Sequence, residues 1–200
     1  MRDLPLPDAP SCARNREPIL QHLRRLLVDH QRVLEVGSGT GQHAVYFAPF
    51  LSHLVWQTSE REEMLPGVRA WLASAPADNL RDPLALDVDA SWPALSVDTV
   101  FTANTLHIMS VGSVERFFQQ LPSVLQPGGL LIVYGPMKIA GAFIGPGNAD
   151  FDLWLKERNP LSGIRALEWL DQLAADAGFM REELNYLPAN NQLVAWRRKR

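Results

Sequence analysis

The stretch Arg-Val-Leu-Glu-Val-Gly-Ser-Gly-Thr-Gly-Gln-His, residues 32–43, decides the fold of this chain. Its short apolar run predicts a strand, and the residues after the glycines predict the start of a helix. Glycines at every second position, 37, 39 and 41, let the backbone turn sharply and pass close to a ligand because glycine has no Cβ. A dinucleotide-binding fingerprint would have its third glycine at position 42, which is Gln42 here. The stretch therefore predicts a strand that ends in a nucleoside pocket built without a phosphate site.

This glycine spacing, with Glu35 two residues before the first glycine, resembles motif I of the class I S-adenosylmethionine-dependent methyltransferases. The resemblance implies S-adenosylmethionine as cofactor, with Glu35 reaching its amino acid part. The loop would line the methionine and the ribose through Gly37, Ser38, Gly39, Thr40 and Gly41. A tight strand-to-helix turn without a ligand is the alternative. It is less favourable, because closely spaced glycines cost up to roughly 1 kcal/mol each unless a close approach requires them.

Composition narrows the class of protein. The chain has 200 residues, 46% of them hydrophobic, which is enough to bury one sizeable core. Its net charge of −3 offers no electrostatic surface for nucleic acid. The single cysteine, Cys12, excludes an internal disulfide and a structural zinc site and fits a reducing compartment. Without a signal-peptide pattern or a membrane-length apolar run, we expect a cytoplasmic protein that binds neither membrane nor metal.

Alternating strand and helix patterns predict the architecture. Residues 1–15 carry several prolines and no apolar period, which predicts an extended arm before a helix that begins near Glu17-Pro18. Two final strand candidates are separated by only Pro188-Ala189-Asn190-Asn191, too short for a crossover, so they should form a hairpin. We predict one α/β domain over residues 1–200, with a Rossmann-like parallel sheet of five strands, an antiparallel C-terminal hairpin and helices on both faces. The predicted strands are 32–36, 53–58, 83–86, 99–103, 130–134, 181–187 and 192–196, and the predicted helices include 62–74 and 114–125.

In an open α/β sheet, ligands bind at the carboxyl ends of the strands, so residues that directly follow the strands are site candidates. Glu60 follows the second strand, where a carboxylate could accept from a ribose diol, or it could simply be a favourable charge at the start of the next helix. Asp87 follows the third strand, and the resemblance to the class I methyltransferases implies that it bonds the adenine amino group, with Val88 offering its backbone N–H to the ring. Asp89 competes with Asp87 for this role, and a plain Asx turn is the structural alternative.

The segment of residues 100–108, which begins within the fourth strand, lies where the resemblance to the class I methyltransferases implies a motif that faces the transferred methyl group. Asn104, His107 and Tyr134 are the catalytic candidates, and Asn104 is also a cofactor candidate. His107 could be a general base for a hydroxyl or thiol, or a packing residue without catalytic function. The segment is not of the Asn-Pro-Pro-Tyr type associated with methylation of amino groups on bases or glutamine. Gly128 and Gly129, before the fifth strand, are expected to be structural.

A closer resemblance covers nearly the whole chain, on motifs that occur in family order. The chain is similar to a small family of uncharacterised methyltransferase-like proteins that includes the animal methyltransferase-like protein 26. The family's substrate is not established, so the resemblance implies fold and cofactor rather than reaction. Glu60 replaces the usual Asp, and Leu161-Ser162 replaces an expected aromatic residue. The motifs are Ser11-Cys12-Ala13-Arg14-Asn15-Arg16-Glu17-Pro18-Ile19, Tyr134-Gly135-Pro136, Asn148-Ala149-Asp150-Phe151-Asp152, Asn159-Pro160, Gly163-Ile164-Arg165 and Pro188-Ala189-Asn190-Asn191.

Polar residues in these motifs predict a lid. The arm at 11–16 and a lid-like insert at 136–160 should close over the loaded cofactor, with Arg14 and Asn15 as cofactor or acceptor contacts. The leading function is a methyltransferase for a small-molecule acceptor. A catalytically silent protein that binds S-adenosylmethionine or a partner is the alternative, and a nicotinamide oxidoreductase fits the glycine spacing poorly. Neither the acceptor nor the oligomeric state follows from the sequence.

Overall fold

The computed structural model describes residues 6–200, so the first five residues of the predicted arm lie outside the described residues. The chain divides into two compact units, one that ends at Asp87 and one that begins at Val88. Each unit is an α/β assembly of its own strands and helices. The assignment of residues 1–200 to one methyltransferase domain stays a prediction.

Parallel strands form the centre of the first unit. Its strands lie in the order β3-β2-β1 and all run parallel. In this register Glu35 lies beside Thr58 and Val36 beside Ser59, so the ends of the first two strands meet at the glycine loop. The elements are α1 (Pro10–Leu26), β1 (Arg32–Val36), α2 (Gln42–Phe47), β2 (Val55–Glu60), α3 (Leu65–Ser74) and β3 (Leu80–Ala85), with short 3₁₀ helices at Ala48–Leu51 and Glu62–Met64.

The first helix corrects the sequence prediction of an extended arm. It begins at Pro10 instead of Glu17-Pro18, so residues 10–15, including Arg14 and Asn15, are helical. Proline fits the first helical turn, and Pro18 lies inside the helix at the cost of one backbone hydrogen bond. The early turns bury Asn15 rather than an apolar stripe, which is why hydrophobic periodicity did not reveal them.

The second unit joins two parallel strands to an antiparallel hairpin. Its main strands lie in the order β4-β5-β10-β9; β4 and β5 are parallel, and β10 is antiparallel to both of its neighbours. A smaller sheet has the order β7-β6-β8. The elements are β4 (Val97–Ala103), α4 (Val111–Val124), β5 (Leu125–Gly135), β6 (Met137–Ile139), β7 (Ala142–Phe143), α5 (Pro146–Arg158), β8 (Arg165–Ala166), α6 (Leu167–Asp176), β9 (Phe179–Leu187) and β10 (Asn191–Arg198).

These arrangements confirm the predicted fold class: an α/β protein with parallel strands, antiparallel C-terminal strands and surrounding helices. The fifth strand begins earlier than predicted, because β5 continues through an irregular register near Gly129. A Cβ at Gly129 would lie 2.8 Å from the carbonyl oxygen of Gln126 and 2.9 Å from that of Asp98. Gly129 is therefore structural, as expected.

The predicted lid-like insert is made of regular elements, β6, β7 and α5. Helix α5 turns Asn148, Asp152 and Leu155 inward, so its anchors are largely polar. The amide of Asn148 donates to the carbonyl of Asn190 at 3.1 Å, and a carboxylate oxygen of Asp152 accepts from the backbone N–H of Ile164 at 2.7 Å. Polar anchoring explains how this segment folds although it has few apolar residues. Within residues 6–200, no helix has both the length and the apolar character needed to cross a membrane.

Candidate functional site

The glycine loop between β1 and α2 is fastened to the end of β2. The backbone N–H groups of Gly37 and Ser38 both donate to the carbonyl of Ser59, at 3.1 and 3.0 Å. Gly37, Gly39 and Gly41 have φ values of 73°, 59° and 89°, in the left-handed region that favours glycine. The sequence therefore needs its glycines here to make the turn out of the strand.

Two of these glycines have different surroundings. A Cβ at Gly39 would meet no protein atom within 4 Å, so the space beside it is open to a ligand. A Cβ at Gly41 would lie 3.3 Å from Val68 and 3.4 Å from Leu72 and Trp71. Gly39 is thus the loop position with room for a cofactor, whereas Gly41 lets α3 pack closely.

Glu35 is a buried carboxylate directly behind the loop, with 1% of its surface exposed. Its Oε2 accepts from the hydroxyl of Ser38 at 3.0 Å and from the indole N–H of Trp56 at 3.1 Å. Burial raises the pKa of Glu35 to about 7, partly offset by these two hydrogen bonds. Ser59 adds a hydrogen bond from its hydroxyl to the backbone carbonyl of Glu35, at 2.7 Å. The network fixes the end of β1 beneath the loop.

Glu60, at the end of β2, is bound to the loop from the other side. Its Oε2 accepts from the backbone N–H of Gly39 at 2.8 Å, and its Oε1 accepts from that of Arg61 at 2.9 Å. A carboxylate oxygen has two lone-pair sites, so both oxygens can still accept from a ligand hydroxyl. The structure thus brings Glu60 and the loop together and leaves the carboxylate partly exposed.

The two aspartates after β3 differ in their contacts. Asp89 accepts from the hydroxyl of Ser113 at 2.9 Å and from the guanidinium of Arg116 at 3.1 Å, which binds it to the start of α4. Asp87 is exposed at the end of the first unit, and Val88, the first residue of the second, is half-buried. The backbone N–H of the preceding Leu86 donates to the carbonyl of Glu60 at 2.9 Å. Asp89 is thus bound to the start of α4, and the role of Asp87 at the cofactor stays a prediction.

The candidates on α1 lie against α2. The side-chain oxygen of Asn15 lies 2.7 Å from Nε2 of His43, whose ring stacks on Phe47. Burial, with a smaller contribution from Arg16, lowers the pKa of His43 to about 4, so the ring is neutral at pH 7. Arg14 is exposed on the same helix. Asn15 is therefore engaged in a structural contact here, and its role at the cofactor stays a prediction.

The structure brings the three catalytic candidates together in the second unit. The backbone N–H of Asn104 donates to the carbonyl of Tyr134 at 2.8 Å. Asn104 has a φ of 58°, an uncommon conformation for a residue other than glycine. A Cβ on Gly135 would lie 3.6 Å from Nδ1 of His107 and 3.9 Å from the backbone of Asn104. Strained backbone of this kind often occurs at functional sites.

The His107 ring is buried, and its partners limit its chemistry. Burial and the nearby charge of Arg165 lower the pKa of His107 to about 4. Phe151 of α5 contacts the ring edge-on, with 5.3 Å between centroids. At pH 7 the imidazole is neutral, but a group with so low a pKa accepts a proton weakly. In this state the ring is better suited to position an acceptor than to act as a general base.

One short segment holds the whole His107 loop. The backbone carbonyls of residues 106–109 all accept hydrogen bonds from Ser162, Gly163 or Arg165. Gly163 N–H donates to the His107 carbonyl at 2.9 Å, and the Ser162 hydroxyl donates to that of Ile108 at 2.8 Å. The Arg165 guanidinium donates to the carbonyls of Leu106 and Met109. We call residues 162–165 the loop clamp.

Sequence reasoning missed several residues that shape these sites. From the sequence, Trp56 is predicted to lie in a strand and Ser59 directly after it, and no site role is predicted for either residue. Gln42 and His43 are predicted to begin a helix, likewise without a site role. Alternation along β2 could have placed Trp56 and Thr58 on the face of Glu35, but no sequence signal identifies their partners. Residues 163–165 of the loop clamp belong to one of the quoted motifs, whereas the bonds from Ser162 and Arg165 depend entirely on tertiary structure. Among residues 6–200, no group of His, Cys, Asp and Glu is placed to hold a metal ion.

Comparisons with known proteins identify a family and proteins of similar fold. The family model described as "Protein of unknown function (DUF938)" matches residues 7–198. A protein of the O-methyltransferase family from Burkholderia thailandensis aligns with a TM-score of 0.82 and 13% identity, over 94% of this chain and 57% of that one. Human N-acetylserotonin methyltransferase in complex with S-adenosylmethionine aligns with a TM-score of 0.79 and 15% identity, over 95% and 53%.

A third solved structure, an O-methyltransferase family 2 protein from Planctomyces limnophilus in complex with apigenin, aligns with a TM-score of 0.73 and 16% identity, over 92% of this chain and 61% of that one. At these identities the likeness establishes the fold alone. The chain spans a little over half the length of the solved proteins it resembles.

Proposed function

We propose that this chain, which belongs to the family described as protein of unknown function DUF938, is an S-adenosylmethionine-dependent methyltransferase for a small-molecule acceptor. The observation that carries the proposal is the glycine loop. At Gly39 it has open space on one side, and its backbone N–H is held by the carboxylate of Glu60. The predicted link to the family of methyltransferase-like protein 26 remains part of this proposal.

The charges around the loop support a cationic cofactor. Glu35 lies behind the loop and Glu60 lies beside it, and the two carboxylates are close enough for Glu60 to raise the pKa of Glu35. With a pKa of about 7, Glu35 is only partly ionised at neutral pH, so the partly exposed carboxylate of Glu60 is the main negative charge at the loop, and it favours a ligand that carries positive charge. S-adenosylmethionine has a sulfonium and an ammonium group, and its ribose diol can donate to Glu60. The residues present therefore fit this cofactor.

When bound, S-adenosylmethionine supplies an electrophilic methyl group. The chain's own residues would bind and orient its partners. Glu60 would accept from the ribose hydroxyls, while Asp87 and the backbone of Val88 are proposed for the adenine. Asn104, His107 and Tyr134 are proposed to orient the acceptor, with the loop clamp holding the backbone that carries His107. Exclusion of water and alignment of the acceptor would provide most of the acceleration.

The proposed acceptor class rests on two observations. The chain has no net positive charge to attract nucleic acid. One of the solved proteins with this fold is in complex with apigenin, a small molecule, although that is a property of that protein. The expected cytoplasmic location stays a prediction. A catalytically silent S-adenosylmethionine-binding or partner-binding protein remains the second candidate, favoured by the low pKa of His107.

Isothermal calorimetry tests the cofactor. We expect S-adenosylmethionine and S-adenosylhomocysteine to bind with micromolar affinity, about −8 kcal/mol. Gly39→Val should abolish binding by filling the open space, whereas Gly178→Val is the matched control, since Gly178 also has a positive φ and a Cβ there would meet no atom within 4 Å. Glu60→Gln should weaken binding less than Gly39→Val. Binding of a nicotinamide dinucleotide in place of S-adenosylmethionine would overturn the proposal.

Radiolabelled methyl transfer separates the two candidate functions. The protein is incubated with methyl-tritiated S-adenosylmethionine and a cell extract that has been divided into small-molecule and macromolecular fractions. Label in the small-molecule fraction supports the proposed acceptor class, and label in macromolecules alone would contradict it. Cofactor binding without any transfer would support the silent protein.

A further inference from the structure

Gln42 stands where a dinucleotide fingerprint would have its third glycine, and its side chain makes several hydrogen bonds. Its Oε1 accepts from the backbone N–H of Ala9 at 2.7 Å and from the hydroxyl of Thr40 at 2.8 Å. Its Nε2 donates to a carboxylate oxygen of Asp8 at 2.9 Å. One side chain thus connects the glycine loop to residues more than thirty positions upstream.

The upstream residues have a second attachment on the same unit. The carbonyl of Pro7 accepts from the indole N–H of Trp71 on α3, at 2.6 Å. Gly67 makes room for this approach, since a Cβ there would lie 3.2 Å from the ring of Pro7. Trp71 also borders Gly41, at 3.4 Å from a Cβ at that position. Residues 7–9, which we call the N-terminal strap, are therefore fastened to α2 and to α3, next to the end of the loop.

We propose that Gln42 is a positioning residue that clasps the N-terminal strap to the glycine loop and so holds the loop ready for the cofactor. The inference rests on the proposed function. Glycine residues lose more conformational freedom on ordering than any others, so a loop with three of them is costly to hold in one conformation. A clasp at Thr40 and Gln42 fixes the loop before binding. The loop then loses less conformational entropy when the cofactor binds, so binding is more favourable.

The donor and the acceptor of the hydrogen bond between Gln42 and Asp8 can be exchanged by substitution. Gln42→Ala removes the side-chain donor and acceptor together. Gln42→Glu places a second carboxylate against Asp8, and the double variant Gln42→Glu with Asp8→Asn restores one donor and one acceptor in the opposite direction. Gln126→Ala is the matched control, because the Gln126 amide also donates to a side chain, the hydroxyl of Ser96 at 3.0 Å, in the other unit. A thermal melt of each variant shows that it is folded.

Two measurements test the proposal on the full chain. Calorimetry with S-adenosylhomocysteine should show about tenfold weaker binding for Gln42→Ala and for Gln42→Glu, with most of the affinity regained in the double variant. Hydrogen exchange without ligand should be faster at residues 37–41 in Gln42→Ala than in the wild type and in Gln126→Ala.

If hydrogen exchange at residues 37–41 is the same in Gln42→Ala as in the wild type, the clasp is refuted. This holds even if Gln42→Ala binds S-adenosylhomocysteine more weakly, because that effect would then not act through the loop. Failure of the double variant to recover would also overturn it. If the wild type binds no S-adenosylhomocysteine, the proposed function fails by itself. The ligand-free exchange then decides the clasp alone.

Discussion

Replacing Glu35 by glutamine should change how the stability of this protein depends on pH. Glutamine keeps a side-chain oxygen that can accept from Ser38 and Trp56, but it cannot ionise. In the wild type, burial raises the pKa of Glu35 from 4.5 to about 7. The folded state therefore holds a proton on Glu35 between these pH values, which the unfolded chain releases. The stability it provides is fully present below pH 4.5 and is lost as the pH rises through 7.

The magnitude follows from the shift. One pKa unit corresponds to about 1.4 kcal/mol, so the change from 4.5 to about 7 gives about 3 kcal/mol. Two buried histidines act in the opposite direction. The pKa values of His43 and His107 are lowered from 6.5 to about 4, so the stability they provide is present above pH 6.5 and is lost as the pH falls through 4. The difference between variant and wild type cancels this background and isolates Glu35.

Urea unfolding followed by circular dichroism, at pH values from 4.5 to 8, measures this difference. We expect the free energies of unfolding of wild type and Glu35→Gln to be similar at pH 4.5. At pH 8 the variant should be more stable by about 3 kcal/mol, because it has no buried charge. Glu62→Gln, at an exposed glutamate, is the control and should show no pH-dependent difference. A difference between Glu35→Gln and wild type that stays constant with pH would refute the reasoning.

Three further predictions concern the loops. Gly39→Ala and Gly41→Ala both place a Cβ at a positive φ and should both lower the free energy of unfolding, Gly41→Ala the more, by about 1–3 kcal/mol, because its Cβ would also press on α3. Gly39→Ala should weaken S-adenosylhomocysteine binding more than Gly41→Ala does. Equal effects of the two variants in both assays would contradict the different surroundings of the two glycines. Arg165→Lys should lower the free energy of unfolding by about 2 kcal/mol and speed hydrogen exchange at residues 106–109. Arg69→Lys, at an exposed arginine, is the control. Unchanged exchange at residues 106–109 in Arg165→Lys would argue against the loop clamp. S-adenosylmethionine should slow exchange in residues 137–151 as well as 37–41, and protection confined to the glycine loop would refute the lid.

The sequence predicted the longer strands because their signals are local. Apolar runs and glycine turns revealed them, including the exact bounds of β1, Arg32–Val36, but not the short strands β6, β7 and β8. The short connection at 188–191 predicted the hairpin of β9 and β10, since four residues cannot make a crossover. The start of α1 was missed, because its first turns are held by polar contacts such as Asn15 with His43, which leave no hydrophobic period.

The sequence likewise named the groups at the strand ends, because parallel strands present their carboxyl ends at one edge. It could not say what each group does there. Gly39 and Gly41 look alike in sequence, yet one has open space beside it and the other packs against α3. Asp87 and Asp89 also look alike in sequence, and only the structure shows that Asp89 accepts from Ser113 and Arg116.

Only tertiary structure decided the charge states and the supports of the loops. A raised pKa at Glu35 and a lowered pKa at His107 depend on burial by residues distant in the chain. The clasp at Gln42 and the loop clamp at 162–165 join segments separated by more than thirty residues. Hydrogen bonds between residues so far apart produce no periodic pattern in the sequence. They depend on the distance and angle between particular donor and acceptor atoms, which only the folded chain sets.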